Sequence, residues 1–117
     1  MIKEKRRHPR YDIELKAELF TGKEILPVTT RNLSKGGVSL ILKKPIEEGT
    51  TVGLSLFITE DGIEDPDQEP LNIKAKLVWC APQNDGSFIA GARFVELNKR
   101  ESDILDSFIE IISQKNK

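Results

Sequence analysis

Apolar and polar residues alternate along much of this chain, and this period of two constrains the fold more than any other feature of the sequence. Charged residues occupy the even positions from 12 to 18, and the odd positions between them hold Ile13, Leu15, Ala17 and Leu19. This pattern is typical of a strand with one face in a core and the other in solvent. Strand-like patterns recur over residues 25–31, 38–42, 52–58, 71–79 and 88–97. The sequence therefore predicts a mainly β fold, a small barrel of six short antiparallel strands, with Pro27 at an edge or a bulge.

The last part of the chain changes to a helical period. Apolar residues recur there at helical spacing: Ile104, Leu105, Phe108, Ile109, Ile111 and Ile112. Asn98 is a suitable N-cap, and Glu101 three residues later completes a capping box. We expect one C-terminal α-helix over residues 98–115, laid over an open end or the side of the barrel.

Length and composition indicate one globular domain. The chain has 117 residues, of which 38% are hydrophobic, and a formal net charge of −1. No apolar run reaches the roughly 18 residues of a membrane span, and no apolar stretch follows the basic start as in a secretory signal, so no membrane insertion is expected. Cys80 is the only cysteine. It excludes an internal disulfide and fits a reducing compartment, and the expected localisation is cytoplasmic.

Basic charge is concentrated at the start of the chain. Residues 1–10 hold five basic residues against Glu4, a net charge of +4, and the remaining residues sum to −5. We divide the chain into a flexible basic N-terminal arm (residues 1–11), a barrel (residues 12–97) and a helix (residues 98–115). An anionic partner is one interpretation of the arm, and a solvated tail is the other.

The segment of residues 60–70 is rich in aspartate and glutamate and contains no basic residue. A long solvated loop is the simplest interpretation. Calcium binding is the alternative, but an EF-hand needs ligands at alternating positions and a glycine at the sixth, which residues 61–66 do not supply. The sequence predicts no metal site.

Residues with catalytic chemistry are few and scattered. His8 is the single histidine and lies in the N-terminal arm, and Cys80 has no histidine near it in the sequence. Gly36 and Gly37 precede Val38, whereas a phosphate-binding loop of the Walker type needs Gly-Lys-Ser or Gly-Lys-Thr. The sequence therefore predicts no enzyme, no catalytic residue and no cofactor.

Two segments carry the chemistry of ligand binding. The first is the arginine pair Arg6 and Arg10, which flanks Pro9. Proline holds the residue before it extended, so the two side chains can spread around a ligand. A guanidinium binds phosphate oxygens or the O6/N7 edge of guanine through two parallel hydrogen bonds, and its flat face can stack on a base.

The second segment is Asn32-x-Ser34-x-x-Gly37, between two predicted strands. Its structural interpretation is a plain connection, because Asn and Ser side chains bond nearby backbone and glycine permits a positive φ. Its functional interpretation is that the amide and the hydroxyl meet a base edge at the rim of the barrel, with room left by Gly37.

Together these two segments resemble the paired signature of PilZ domains, bacterial receptors for cyclic di-GMP. The resemblance extends to the strand Leu77-Val78-Trp79, to Gly91-Ala92-Arg93-Phe94, which is similar to a Gly-x-x-Phe segment of the family, and to a helix after the last strand. It covers roughly residues 5–112. It implies a six-stranded antiparallel PilZ-type β-barrel that holds cyclic di-GMP on its outer surface under the N-terminal arm.

The resemblance also implies roles for individual residues. Arg6 and Arg10 would contact phosphates and guanines, Asn32 and Ser34 a guanine edge, and Gly37 would allow the close fit. Further candidates for the ligand site are Lys5, Arg7, Trp79 and Gly91.

The four further candidates differ in their expected roles. Lys5 stands before the first arginine and favours a stacked pair of nucleotides, and Arg7 adds charge or is solvated. Trp79 matches a position that lines the site in the family, but alternation along its strand favours the core. Gly91 is a position of close approach or a bulge.

Two other functions remain open at this point. One is a PilZ-like adaptor that binds proteins and no nucleotide. The other is a small barrel that binds nucleic acid, which the charge of −5 outside residues 1–10 and the low aromatic content of 6% disfavour. The expected partners are cyclic di-GMP and an unidentified protein, with no nucleic acid.

Overall fold

The computed structural model of this chain describes residues 9–58 and 69–115. Predictions for Lys5, Arg6, Arg7 and most of the acidic segment lie outside these residues. The elements in chain order are β1 (Tyr11–Asp12), β2 (Lys16–Phe20), β3 (Ile25–Leu33), β4 (Gly37–Leu42), β5 (Thr51–Leu56), β6 (Leu71–Pro82), β7 (Phe88–Val95) and α1 (Lys99–Lys115).

Six of the strands close into a barrel. The pairing order is β1-β3-β2-β5-β6-β7-β4, and β4 pairs with β3 to complete the ring. All pairings are antiparallel. This confirms the predicted six-stranded barrel with a C-terminal helix. The short strand β1, which pairs with β3 alone, is an addition that alternation did not predict.

Leucine is the commonest residue in the barrel interior. The largest fully buried side chains include Leu19, Leu33, Leu40, Leu54, Leu56 and Leu77. The helix α1 contacts β6 and β1. It buries the stripe Leu105, Phe108, Ile109 and Ile112. Asn98 and Glu101 form the expected capping box: each side-chain oxygen accepts the other residue's backbone N–H, at 3.1 and 2.7 Å.

A bulge in β3 changes which side chains face outward. Thr30 pairs with Leu40 of β4, and Asn32 pairs with the very next residue, Ser39, so Arg31 is the extra residue. Without the bulge, alternation would put Asn32 on the same inward face as buried Thr30. With it, Asn32 faces outward and Leu33 is buried. Asn32 thus lies within a strand, not in the predicted connection between strands.

A second bulge does the same in β6. Leu77 pairs with Ala92 of β7 and Trp79 pairs with Gly91, so Val78 is the extra residue. Leu77 and Ala92 are buried in the core, whereas Trp79 is half-buried on the outer face. The expectation that alternation places Trp79 in the core is therefore wrong, because the bulge reverses the parity of the strand after Leu77.

Within residues 9–58 and 69–115, no helix is long and apolar enough to cross a membrane. Over the same residues, no three His, Cys, Asp or Glu side chains come together in a way that could hold a metal ion.

Candidate functional site

A row of paired positions crosses four strands on the outer face of the barrel. Asn32 of β3 pairs with Ser39 of β4, Ser39 with Gly91 of β7, and Gly91 with Trp79 of β6. The two bulges bring the ends of this row, Asn32 and Trp79, to the outer face. Residues distant in sequence thereby form one continuous strip on the outer face of the barrel, in which Ser39 and Gly91 are themselves buried.

The indole of Trp79 lies on the backbone of Gly91. A Cβ at position 91 would overlap three indole atoms, Nε1, Cε2 and Cδ1. Gly91 is therefore a position of close approach, and the side chain that approaches is that of Trp79. Ser39, on the other side of Gly91, is only 4% exposed.

A cavity of about 250 Å³ opens over this strip. Its lining residues are Arg10, Ser34, Gly36, Gly37, Val38, Ser39, Val78, Trp79, Gly91, Ala92 and Arg93. Arg10 and Arg93 are the only charged residues in this described lining, and both are exposed. The surface therefore combines two guanidinium groups with one flat aromatic face.

Backbone pairing at β1 brings Arg10 to the cavity. Tyr11 pairs with Leu33, the residue just before the turn at Ser34. Buried Thr30 holds the following segment: its hydroxyl donates to the Ile13 carbonyl at 2.6 Å and accepts the Leu15 N–H at 2.8 Å. The chain that leads from Arg10 into the barrel is thus fixed along β3.

Ser34 and Gly37 have structural duties in the turn between β3 and β4. The Ser34 hydroxyl oxygen accepts the backbone N–H groups of Gly36 and Gly37, both at 3.2 Å. A Cβ at Gly37 would clash with the carbonyl oxygen of Ala92 on β7. Glycine is required at position 37 because a neighbouring strand approaches it there, whatever ligand the cavity holds.

The predicted site residues divide into three groups by location. Arg10, Ser34, Gly37, Trp79 and Gly91 line the one cavity. Asn32 is not in its lining and lies one position away, paired with Ser39, which is. Lys5, Arg6 and Arg7 lie outside the described residues.

Among the cavity-lining residues that the sequence analysis did not propose, two have polar side chains, Arg93 and Ser39. Arg93 lies on the outer face of β7, paired with Lys76 of β6 and Gly37 of β4. The sequence does show that Arg93 is a cation two residues after Gly91, in the strand that follows the Asp85-Gly86 turn. Its position relative to Arg10 depends on strand pairing, which the sequence alone did not supply.

The chemistry of this cavity suits an anionic ligand that also carries a flat ring. Guanidinium groups bind phosphate or carboxylate oxygens, and an exposed indole face can stack on a base or other flat ring. No carboxylate belongs to the described lining, so nothing there repels an anionic ligand.

Comparisons with known proteins agree with this fold. The family model of the PilZ domain matches residues 4–110. The PilZ domain of Escherichia coli YcgR, solved with c-di-GMP, superposes with a TM-score of 0.77 at 14% identity, covering 97% of this chain and 95% of that one. The PilZ domain of CeSA from a cellulose-synthesizing bacterium superposes with a TM-score of 0.62 at 18% identity, covering 93% and 99%.

A longer relative gives a similar likeness. The Bacillus subtilis inhibitor of motility MotI/DgrA superposes with a TM-score of 0.76 at 15% identity, and the match covers 97% of this chain and 52% of that protein. This chain thus spans about half the length of that relative. At such identities the likeness shows the fold alone.

No curated protein sequence matches the chain at a significant level. The PilZ family model nevertheless covers nearly the whole sequence, and its match confirms the resemblance carried by the arginine pair and the Asn32–Gly37 segment. This chain belongs to the PilZ domain family.

Proposed function

We propose that this chain is a receptor for cyclic di-GMP and binds it in the cavity between Arg10, Trp79 and Arg93. The observation that carries the proposal is that residues distant in sequence line one cavity. Arg10 from one segment of the PilZ signature lines the same outer-face cavity as Ser34 and Gly37 from the other segment. Among the residues that the structure describes, the only charged ones in this lining are arginines. Cyclic di-GMP has two ionised phosphodiesters and two flat guanines, which match guanidinium groups and an indole face.

The N-terminal arm has a part in this proposal. The described cavity, about 250 Å³, lies below the roughly 300–1,000 Å³ typical of ligand pockets. A dinucleotide therefore needs further contacts, which we assign to Arg6, Lys5 and Arg7. Ordering residues of the arm costs roughly 1–2 kcal/mol of backbone entropy each, so binding couples to a change of surface that a partner protein can recognise.

Isothermal titration calorimetry tests the proposal. We expect micromolar or tighter binding of cyclic di-GMP, much weaker binding of GMP, and saturation by a stacked pair of nucleotides. Added salt weakens the binding, because exposed charges are screened over about 8 Å at physiological ionic strength. Arg10→Ala should lose roughly 1.5–3 kcal/mol of binding free energy, the range for hydrogen bonds to charged groups.

The matched control is Arg100→Ala, which removes an exposed arginine of α1 outside the cavity lining. It should bind cyclic di-GMP like the parent chain. Equal affinity for GMP and cyclic di-GMP, or equal losses from Arg10→Ala and Arg100→Ala, would contradict the proposal.

One observation favours the alternative of an adaptor that binds no nucleotide. Ser34 and Gly37 are both accounted for by the turn and by the approach of β7, so their presence alone is no argument for a ligand. The same titration distinguishes the two functions, because an adaptor gives no heat with cyclic di-GMP.

A further inference from the structure

A second depression lies on the outer face of the barrel over β2, β5 and the first half of β6. Its volume is about 570 Å³, and over residues 9–58 and 69–115 its lining shares no residue with the cavity described above. One paired row crosses it: Ile25, Phe20, Gly53 and Lys74 lie side by side on β3, β2, β5 and β6. We call this surface the Phe20 face.

Gly53 forms the floor of the Phe20 face, and the fold does not require a glycine there. Among the residues that the structure describes, a Cβ at position 53 would meet only the Phe20 side chain and carbonyl, at 3.5 Å or more, which is ordinary contact. Glycine inside a strand costs about 0.5–1 kcal/mol relative to alanine. Gly37 and Gly91 each leave space for a neighbouring group, whereas Gly53 leaves open space on the surface.

Apolar side chains stand beside this floor. Phe20 is 51% exposed and its cross-strand neighbour Ile25 is 60% exposed. Single exposed apolar residues are normal on protein surfaces, but here two large ones are adjacent and border an open depression. Both residues belong to strands whose opposite faces pack into the core. Neither side chain is therefore needed to fill the core.

The rim of the Phe20 face is acidic. Its charged lining residues are Glu18, Glu96, Glu101 and Lys74. Lys74 is already engaged by Glu96, at 3.3 Å between Nζ and Oε2. The rim therefore presents an excess of negative charge around an apolar floor.

This chemistry selects among possible occupants. Two copies of the face would bring like charges together, and anionic lipid or nucleic acid would be repelled by the same rim. Strand addition is not available either, because β2 and β5 are each paired on both sides. A cationic segment of a partner protein that makes side-chain contacts is compatible with both the apolar floor and the acidic rim.

We propose that the Phe20 face docks a protein partner through a segment that presents an apolar side chain flanked by Lys or Arg. The apolar side chain occupies the space above Gly53 beside Phe20, and the flanking cations meet Glu18 and the other rim carboxylates. This docking surface is separate from the proposed nucleotide site. The strand β6 runs through both, with Lys74 in one and Trp79 in the other.

Selection from a library of random short peptides displayed on phage tests the proposal, with the full chain immobilised without nucleotide. We expect enriched peptides that carry an apolar residue between basic ones. Gly53→Val fills the floor and Glu18→Lys reverses the rim charge; each should weaken binding of an enriched peptide by about tenfold or more. Ile104→Ser, which removes a 39% exposed apolar residue of α1, is the control and should bind like the parent chain.

Two outcomes would overturn the proposal: no enrichment, or enriched peptides that bind the Gly53→Val and Glu18→Lys variants as well as they bind the parent chain. Glu18→Lys changes only an exposed side chain, so it keeps the test decisive even if Gly53→Val destabilises the barrel. Both variants should bind cyclic di-GMP as the parent does. A failure of peptide docking is thereby distinguished from a failure of the nucleotide site.

Discussion

At the scale of single residues, the glycines of this barrel have different functions, although all of them lack a side chain. Gly37 admits the carbonyl oxygen of Ala92 from β7, and Gly91 admits the indole of Trp79. The first contact belongs to the backbone of the fold, whereas the second shapes the surface of the candidate site. The sequence analysis gave two alternatives at each position: close approach or a bulge at Gly91, and a plain strand connection or room for a ligand at Gly37.

Alanine substitutions separate these two duties. Gly37→Ala should lower the free energy of unfolding by about 1–3 kcal/mol, because backbone must move to admit the new methyl group. Gly91→Ala should cost less, because the indole can swing outward, and it should change the fluorescence of the single tryptophan and weaken nucleotide binding. Urea denaturation and fluorescence measure these effects.

Gly53→Ala is the control for both, since its Cβ meets only ordinary contacts. It should not destabilise the barrel. Unchanged tryptophan fluorescence in Gly91→Ala would show that the indole does not lie on Gly91.

Ser34 and Asn32 provide a second comparison at this scale. Ser34→Ala removes the acceptor of two backbone N–H groups and should cost about 1–2 kcal/mol of stability, with binding lost in parallel. Asn32→Ala changes an outward-facing side chain and should reduce affinity with little change in melting temperature. Calorimetry and thermal unfolding on the same samples distinguish the two. Equal losses of stability would mean that Asn32 too is a structural residue.

At the scale of elements, the strands and the helix could be predicted from periodicity, whereas the bulges could not. Alternation reports the parity of a strand only while its pairing is regular, and Arg31 and Val78 each interrupt that regularity. No residue type marks either bulge. The outward positions of Asn32 and Trp79 follow from these bulges, and therefore from the pairing of the strands.

The C-terminal helix offers an element-scale prediction. Asn98→Ala removes the cap of α1, which should lower the free energy of unfolding by about 0.5–2 kcal/mol. Asn98→Asp should retain most of the stability, because a carboxylate accepts the same hydrogen bond. Urea denaturation checks both variants. An unchanged unfolding midpoint for Asn98→Ala would show that the capping box contributes nothing to the packing of α1 on the barrel.

At the scale of the whole molecule, positive and negative charge are concentrated in different parts of the sequence and on different surfaces of the structure. The first ten residues carry a net charge of +4 and the remainder −5. Arginines line the cavity at Trp79, while carboxylates border the Phe20 face. The charge distribution along the sequence left two interpretations of the basic end open, an anionic partner or a solvated tail. It could not predict a second, acidic surface, because that surface is assembled from four strands and from the segment that leads into α1.

We propose that cyclic di-GMP binds on the outer face of the barrel where β4, β7 and β6 meet. Two-dimensional ¹H–¹⁵N NMR during titration with cyclic di-GMP tests it most directly. We expect the largest shifts at the indole N–H of Trp79 and at the backbone amides of Ser39, Gly91 and Arg10, with the amides around Gly53 unchanged. Shifts that saturate around Gly53 while the Trp79 indole stays unmoved, or no shifts at all, would contradict it.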